Sequence, residues 1–227
     1  MLFRSDAESQ ELFAQRFGLI PGRVRFGFAH LELLREAPGP WLREVLLPFF
    51  SSPFVHGGLG HLVGNLWFLF VFGDNVEGRL GHGRYLAFWF FCGVVAALLH
   101  VAMVPPEEVV LRLGSEVELG RNGQLDVPMV GASGAIAGVL GAYVVRFPRA
   151  RVLTFLPPLF VFQLPAVLFL GIWFAVQFFS ARSSAMVGTI GVGVAYWAHV
   201  GGFVAGALAG LLLPSARPGF PSTDPRR

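Results

Sequence analysis

Charge-free runs divide the chain. Residues 45–73, 85–106, 127–145, 152–181 and 183–216 contain no Asp, Glu, Lys or Arg, whereas no such run before Glu44 exceeds six residues. Each of the five exceeds the ~18–20 apolar residues with which a helix crosses the hydrocarbon core of a bilayer. The pattern predicts five membrane helices, with cores at about 59–74, 85–104, 128–145, 163–180 and 194–213. Prolines mark the edges, because proline has no N–H to donate within a helix. Pro105-Pro106 stop the second span, Pro148 follows the third, Pro157-Pro158 and Pro165 delay the fourth, and Pro214 ends the fifth. Trp67, Trp89, Trp173 and Trp197 fall inside spans and read mainly as packing aromatics. The fold class is therefore all-α, a polytopic membrane helix bundle. It comprises a polar N-terminal segment (1–44), a transmembrane domain (45–213) and a short cytoplasmic tail (214–227).

Composition agrees with the pattern. Hydrophobic residues make up 54% of the chain and charged residues 14%, with a mean hydropathy of +0.63. A soluble domain carries about 25% charged residues, so this chain cannot cover a water-exposed globule, and the lipid bilayer is its partner. The single cysteine, Cys92, excludes an internal disulfide and reads as a small buried hydrophobe.

All 17 cations are arginine, with a net charge of +3. They form no block or aromatic-interleaved stripe, which argues against nucleic acid as a partner. They do orient the spans. Arg79 and Arg84 (loop 75–84), Arg146, Arg149 and Arg151 (loop 146–151), and Arg217, Arg226 and Arg227 (tail) share one side. The positive-inside rule makes that side cytoplasmic. Loops 105–127 and 181–193 then face outward. The N-terminal segment conflicts with this, because it holds six arginines yet must lie outside if only five spans exist. The expectation is that a first span is absent from the chain as given.

Polar side chains inside spans are costly and mark function by default. Here they are His61, Asn65, His100, Ser133 and His199, with Gln163 and Gln177 at the margin. His61, Asn65, Ser133 and His199 fall in spans one, three and five, which run in the same direction. At 1.5 Å per residue they share a layer roughly 5–10 Å below the outer face. Ser133 sits in Gly131-Ala132-Ser133-Gly134, at the mouth of a glycine-rich helix. His199 precedes Gly202, Gly206 and Gly210, a small-residue row of the kind that brings membrane helices close. A second row, Gly134, Gly138 and Ala142, would meet it. That contact would bring His199 to Ser133 as general base to nucleophile. His61 and Asn65, four apart on one helical face, would present N–H donors to an oxyanion. No carboxylate lies at that depth, so a dyad is predicted rather than a triad. His56 and His61 lack a third ligand for a metal, and no metal or cofactor is expected.

These motifs resemble those of the rhomboid intramembrane serine proteases, of the bacterial multi-pass type. The likeness spans about residues 45–213. It rests on His61-Leu62-Val63-Gly64-Asn65, Gly131-Ala132-Ser133-Gly134 and Ala198-His199-Val200-Gly201-Gly202 running on to Gly206, in that order. The resemblance implies that Ser133 is the nucleophile and His199 the base. Asn65, His61 and the Ser133 backbone amide would form the oxyanion hole. Gly131, Gly134, Gly202 and Gly206 would be structural, as would Glu77, with Arg79 as its partner, and His56. It further implies membrane-anchored protein substrates, cleaved near the outer face of a bacterial plasma membrane. Three departures stand out: rhomboids have at least six spans, Ala137 occupies a position where relatives carry an aromatic against the histidine, and Trp41-Leu42-Arg43 only loosely matches a Trp-Arg pair. Tyr196 or Phe203 would substitute for the missing aromatic. Two rival readings are a non-catalytic rhomboid-like protein that binds or escorts membrane clients, and a small transporter. The sequence leaves the oligomeric state open.

Overall fold

The computed structural model of this chain describes residues 7–104, 108–113, 116–121, 125–156, 160–187 and 194–212. Five helices form a bundle: α6 (Leu59–Leu80), α7 (His82–Met103), α8 (Ser133–Arg146), α9 (Ala166–Val187) and α10 (Tyr196–Leu212). Each overlaps one of the five charge-free runs read from the sequence, with bounds that differ. Gly81, at a φ of 78°, ends α6 with its N–H on the Glu77 carbonyl. It then accepts from the Tyr85 N–H to begin α7, so a single residue turns the chain. Large apolar side chains such as Trp67 and Phe70 on α6, Ile172 and Phe179 on α9, and Leu208 and Leu211 on α10 point outward. A surface of that kind is solvated by lipid, not water.

The helices are unequal. By length and composition α7 and Ala166–Ser183 of α9 each suffice to cross a membrane. Pro38–Phe54 and α6 do so only as a pair bent by 79°. α8 and α10 are shorter apolar helices, of 14 and 17 residues. α8 rises only ~21 Å, and it starts at Ser133 rather than at 128. Before it, Met129 is bridged to Leu19, and Gly131 turns with a φ of 107°. Non-helical backbone at such a depth is tolerated only when protein surrounds it.

α8 is the central post. Every residue from Gly134 to Tyr143 is buried, as befits a helix that is apolar all round. Its glycines allow this. A Cβ at Gly134 would lie 2.8 Å from Ala96 Cβ on α7, and one at Gly138 would overlap Cys92. On α10, a Cβ at Gly202 would collide with the Gly134 carbonyl, one at Gly206 with the Gly138 carbonyl, and one at Gly210 would sit 3.0 Å from Ala142 Cα. The two rows pair at constant offset, so α8 and α10 run parallel with their backbones in contact.

The connections differ from simple loops. Within loop 105–127, Glu108–Leu113 (β1) pairs with Glu116–Arg121 (β2) as an antiparallel hairpin. A second hairpin joins α8 to α9, with Arg151–Leu156 (β3) against Phe160–Pro165 (β4). Gln163 therefore sits on a strand opposite Leu153, outside any membrane helix, and the fourth span begins at Ala166 rather than 163. Aromatic and β-branched residues favour strand here, and Pro165 closes it. The predicted loop 181–193 is helical up to Val187. The tail 214–227 and the Pro105-Pro106 and Pro157-Pro158 pairs lie outside the described residues.

The polar N-terminal segment is packed. α1 (Ala7–Phe17) and α2 (Pro21–Ala29) lead into short turns up to Phe54, among them α3 (Leu33–Glu36), α4 (Pro38–Trp41) and α5 (Pro48–Ser51). Leu19 and Val24 are fully buried against Phe49, Ala97 and Val101. Arg25 caps the carboxyl end of α7, its Nε donating to the Val101 carbonyl at 2.9 Å and its Nη2 to that of Ala102 at 3.3 Å. An arginine there completes carbonyls that the helix leaves unpaired and complements its dipole. Trp41 donates its indole N–H to the Gly27 carbonyl at 2.9 Å. This segment covers the end of the bundle at which α8 begins.

Backbone contact between α8 and α10 makes a sharp prediction. Gly206→Val should cost about 2 kcal/mol or more through overpacking, read as a lowered unfolding midpoint in detergent titration. Gly171→Ala, where no atom lies within 4 Å of the new methyl, should leave the midpoint unchanged or slightly raised.

Candidate active site

The glycine contact sets the site. Gly131 is pinned by its N–H on the Ser52 carbonyl at 2.9 Å, and its positive φ swings the chain into α8 with Ser133 as the first helical residue. His199 lies in the first turn of α10. With the two helices parallel and touching, His199 Nε2 comes to 2.8 Å from Ser133 Oγ.

The other ring nitrogen is also engaged. His199 Nδ1 lies 2.7 Å from Oε1 of Gln177, on α9. An amide oxygen only accepts, so with the amide in this orientation the contact calls for the proton on Nδ1. Nε2 is left with its lone pair toward the serine hydroxyl.

Ala137 is fully buried and leaves the histidine ring without an aromatic from α8. Trp173 supplies one from α9, its ring centroid 5.9 Å from that of His199 at an interplanar angle of 37°. Tyr196 adds an edge contact at 6.4 Å and 88°. Phe203, the other expected substitute, stacks on Phe174 at 4.6 Å instead. Trp173 and Gln177 are one helical turn apart on α9 and face the same ring.

His61 and Asn65 reach the site from α6 and converge on Gly131. A Cβ there would sit 2.7 Å from His61 Nε2 and 3.4 Å from Asn65 Nδ2. Among the described residues, Asn65 and Ser52 are the buried polar side chains, and Asn65 Nδ2 has no hydrogen-bond partner. His61 Nδ1 accepts from the Gly57 N–H at 3.4 Å. In the neutral ring that leaves Nε2 as the N–H donor. Two donors thus border a cavity of about 470 Å³, lined also by Ser133, His199, Trp173 and Gln177.

Glu77 and Arg79 lie at the far end of α6. Glu77 Oε1 meets His82 Nδ1 at 2.6 Å. The pairing of Glu77 with Arg79 is replaced, for the Arg79 guanidinium lies 4.7 Å over the Phe147 ring. Adjacent turns explain this: residues two apart on a helix face away from each other, whereas His82 folds back across Gly81. His56 packs edge-on against His61, centroids 5.2 Å apart, with Nε2 buried and unpaired. Among the described residues, no three His, Cys, Asp or Glu side chains gather as a metal would need.

Sequence reasoning gave no role to Gln177 and took Trp173 for general packing. Their four-residue spacing, with a polar group on an otherwise apolar helix, was the available signal.

Comparison with known proteins agrees with the motifs. Residues 43–216 match the Rhomboid domain. Over 123 residues the chain is 29% identical to the presenilin-associated rhomboid-like protein, mitochondrial, of Bos taurus and of Homo sapiens, covering 54% of this chain and 28% of each relative. Over 166 residues it is 29% identical to rhomboid protein 1, mitochondrial, of Saccharomyces cerevisiae, covering 73% of this chain and 41% of the relative. The chain thus spans less than half the length of these curated relatives. Their mitochondrial names lend no support to the bacterial type expected from sequence. The Rhomboid match nonetheless takes in most of the chain, including all three motifs, and the chain belongs to the rhomboid family.

Proposed function

We propose that this chain is an intramembrane serine endopeptidase, cleaving membrane-anchored proteins with Ser133 as nucleophile and His199 as general base. The observation that carries the reading is the 2.8 Å contact of Ser133 Oγ with His199 Nε2 beside an unpartnered Asn65 amide. A buried N–H without a partner costs about 1–3 kcal/mol. Such a cost is reasonable where an oxyanion will take the bond.

In the reaction, Ser133 Oγ forms a bond to the scissile carbonyl carbon while its proton passes to His199 Nε2. The carbonyl π electrons move onto oxygen, held by Asn65 Nδ2–H and His61 Nε2–H. Collapse of this intermediate breaks the C–N bond, and the His199 proton leaves with the amine. Water then adds to the acyl-enzyme as His199 takes its proton, and collapse breaks the acyl C–O bond while that proton passes to Ser133 Oγ. The substrate must unwind locally, because an α-helix engages its carbonyls in its own hydrogen bonds.

Residues 45–213 form the proteolytic unit, with 1–44 as its outer cover and 214–227 as a cytoplasmic tail. The site lies near the membrane face opposite the loops that hold Arg79, Arg84, Arg146, Arg149 and Arg151, the side that the positive-inside rule makes cytoplasmic. The relatives' names do not support placing it in a bacterial plasma membrane, so the proposal specifies a leaflet and not an organelle.

In a proteoliposome cleavage assay on a membrane-anchored reporter, Ser133→Ala and His199→Ala should each abolish turnover. Full activity in either would remove the mechanism. A fluorophosphonate should label the wild type and not Ser133→Ala; absence of labelling in the wild type would favour a client-binding role.

Loss of one oxyanion donor lowers kcat by about 10²–10³. Asn65→Ala should show that loss with little change in KM, measured as initial rates across substrate density in the bilayer.

A further inference from the structure

The bond between His199 and Gln177 joins the proposed catalytic pair to a helix that no motif covers. Gln177 comes from α9, whose outer face exposes Ile172, Val176 and Phe179. Its inner face turns Trp173 and Gln177 onto the His199 ring. Among the described residues no carboxylate lines this cavity, and the amide oxygen stands where a third, orienting group is needed.

We infer that Gln177 is a positioning residue for His199, its Oε1 accepting from Nδ1–H so that the Nε2 lone pair stays directed at Ser133. The inference rests on the reading of His199 as general base. Its chemistry follows from the two tautomers. With the proton on Nδ1, Nε2 can take the serine proton. With the amide turned over, its NH₂ would donate to Nδ1, the ring proton would move to Nε2, and the histidine would donate to the serine instead of accepting. The orientation of one amide therefore decides whether Ser133 has a base.

An amide suits this depth better than an acid would. As His199 takes the serine proton it becomes a cation, and the amide dipole stabilises that cation while remaining neutral. A carboxylate would stabilise it more, at the cost of carrying its own charge in the bilayer through every resting state. Trp173, one turn away, restricts the ring plane, so α9 supplies both the hydrogen bond and the packing that Ala137 does not.

The test combines a spectrum with kinetics on the full chain in bilayers. With ¹⁵N-labelled histidine, the His199 resonance (assigned by its loss in His199→Ala) should report the Nδ1–H tautomer in the wild type. Gln177→Leu should deplete that tautomer and lower kcat by about 10- to 100-fold, less than the ~10²–10⁴ of a whole general base, with KM within about threefold. Gln177→Glu restores an acceptor of the same reach and should recover both the tautomer and a kcat within about threefold of wild type, which a fold-disrupting lesion would not. Three results would each overturn the inference: an Nε2–H tautomer in the wild type, an unchanged tautomer in Gln177→Leu, or an unchanged kcat in that variant. Because the tautomer is read without turnover, failure here is distinct from failure of the protease reading, which the Ser133→Ala assay decides.

Discussion

Backbone contact between α8 and α10 is the constraint on which the rest depends. In lipid, apolar side chains gain little by meeting each other, so helix association rests on close packing and on hydrogen bonds. The Gly134, Gly138 and Gly141 row on one helix and Gly202 and Gly206 on the other remove side chains where the axes approach. That geometry fixes the lateral distance and the axial register together. Ser133 and His199 stand just above the contact, and their separation is a consequence of it. A looser pair of helices would carry the same two side chains to no common point.

The same economy governs the polar groups. Each is costly in a bilayer, and the site uses few. His61 and Asn65 share a face of α6, His199 is held from α9 by a neutral amide, and the charged residues of the α6 terminus, Glu77 and Arg79, stay at the opposite end. Their partners, His82 and the Phe147 ring, close that end without adding charge to the interior.

Much of this was legible in the sequence, because membrane helices write their limits in charge. The five helices, the paired glycine rows and the four polar residues of one layer all follow from spacing alone. What did not follow has a common physical origin. The start of α8 at Ser133 depends on Gly131 adopting a positive φ, which in turn depends on a contact with Ser52 far away in sequence. The packed N-terminal segment looked polar because its buried residues, among them Leu19, Ile20 and Val24, are few and not periodic over a long helix. The hairpin of β3 and β4 was hidden within an apolar run whose length suits a span. Gln177 was visible as a polar residue on an apolar helix, yet only the approach of α9 to α10 gives it a partner.

Alternation of direction adds one further effect. α6, α8 and α10 begin at the same end of the bundle, so three helix N-termini, with their unpaired N–H groups and positive ends, surround the layer that holds Ser133. In the proposed reaction that field would stabilise an oxyanion beside Gly131. It would equally oppose the imidazolium formed at His199 in the same step, since both charges would appear together within a few ångströms. A base placed among three positive ends and given no counterweight would lose on one side what the oxyanion gains on the other. The Gln177 carbonyl dipole lies on the far side of the ring from the serine, aimed at the nitrogen that carries the proton. In the proposed mechanism the site would stabilise both charges of the transition state by fixed dipoles of opposite sense, without placing an ion in the membrane at rest.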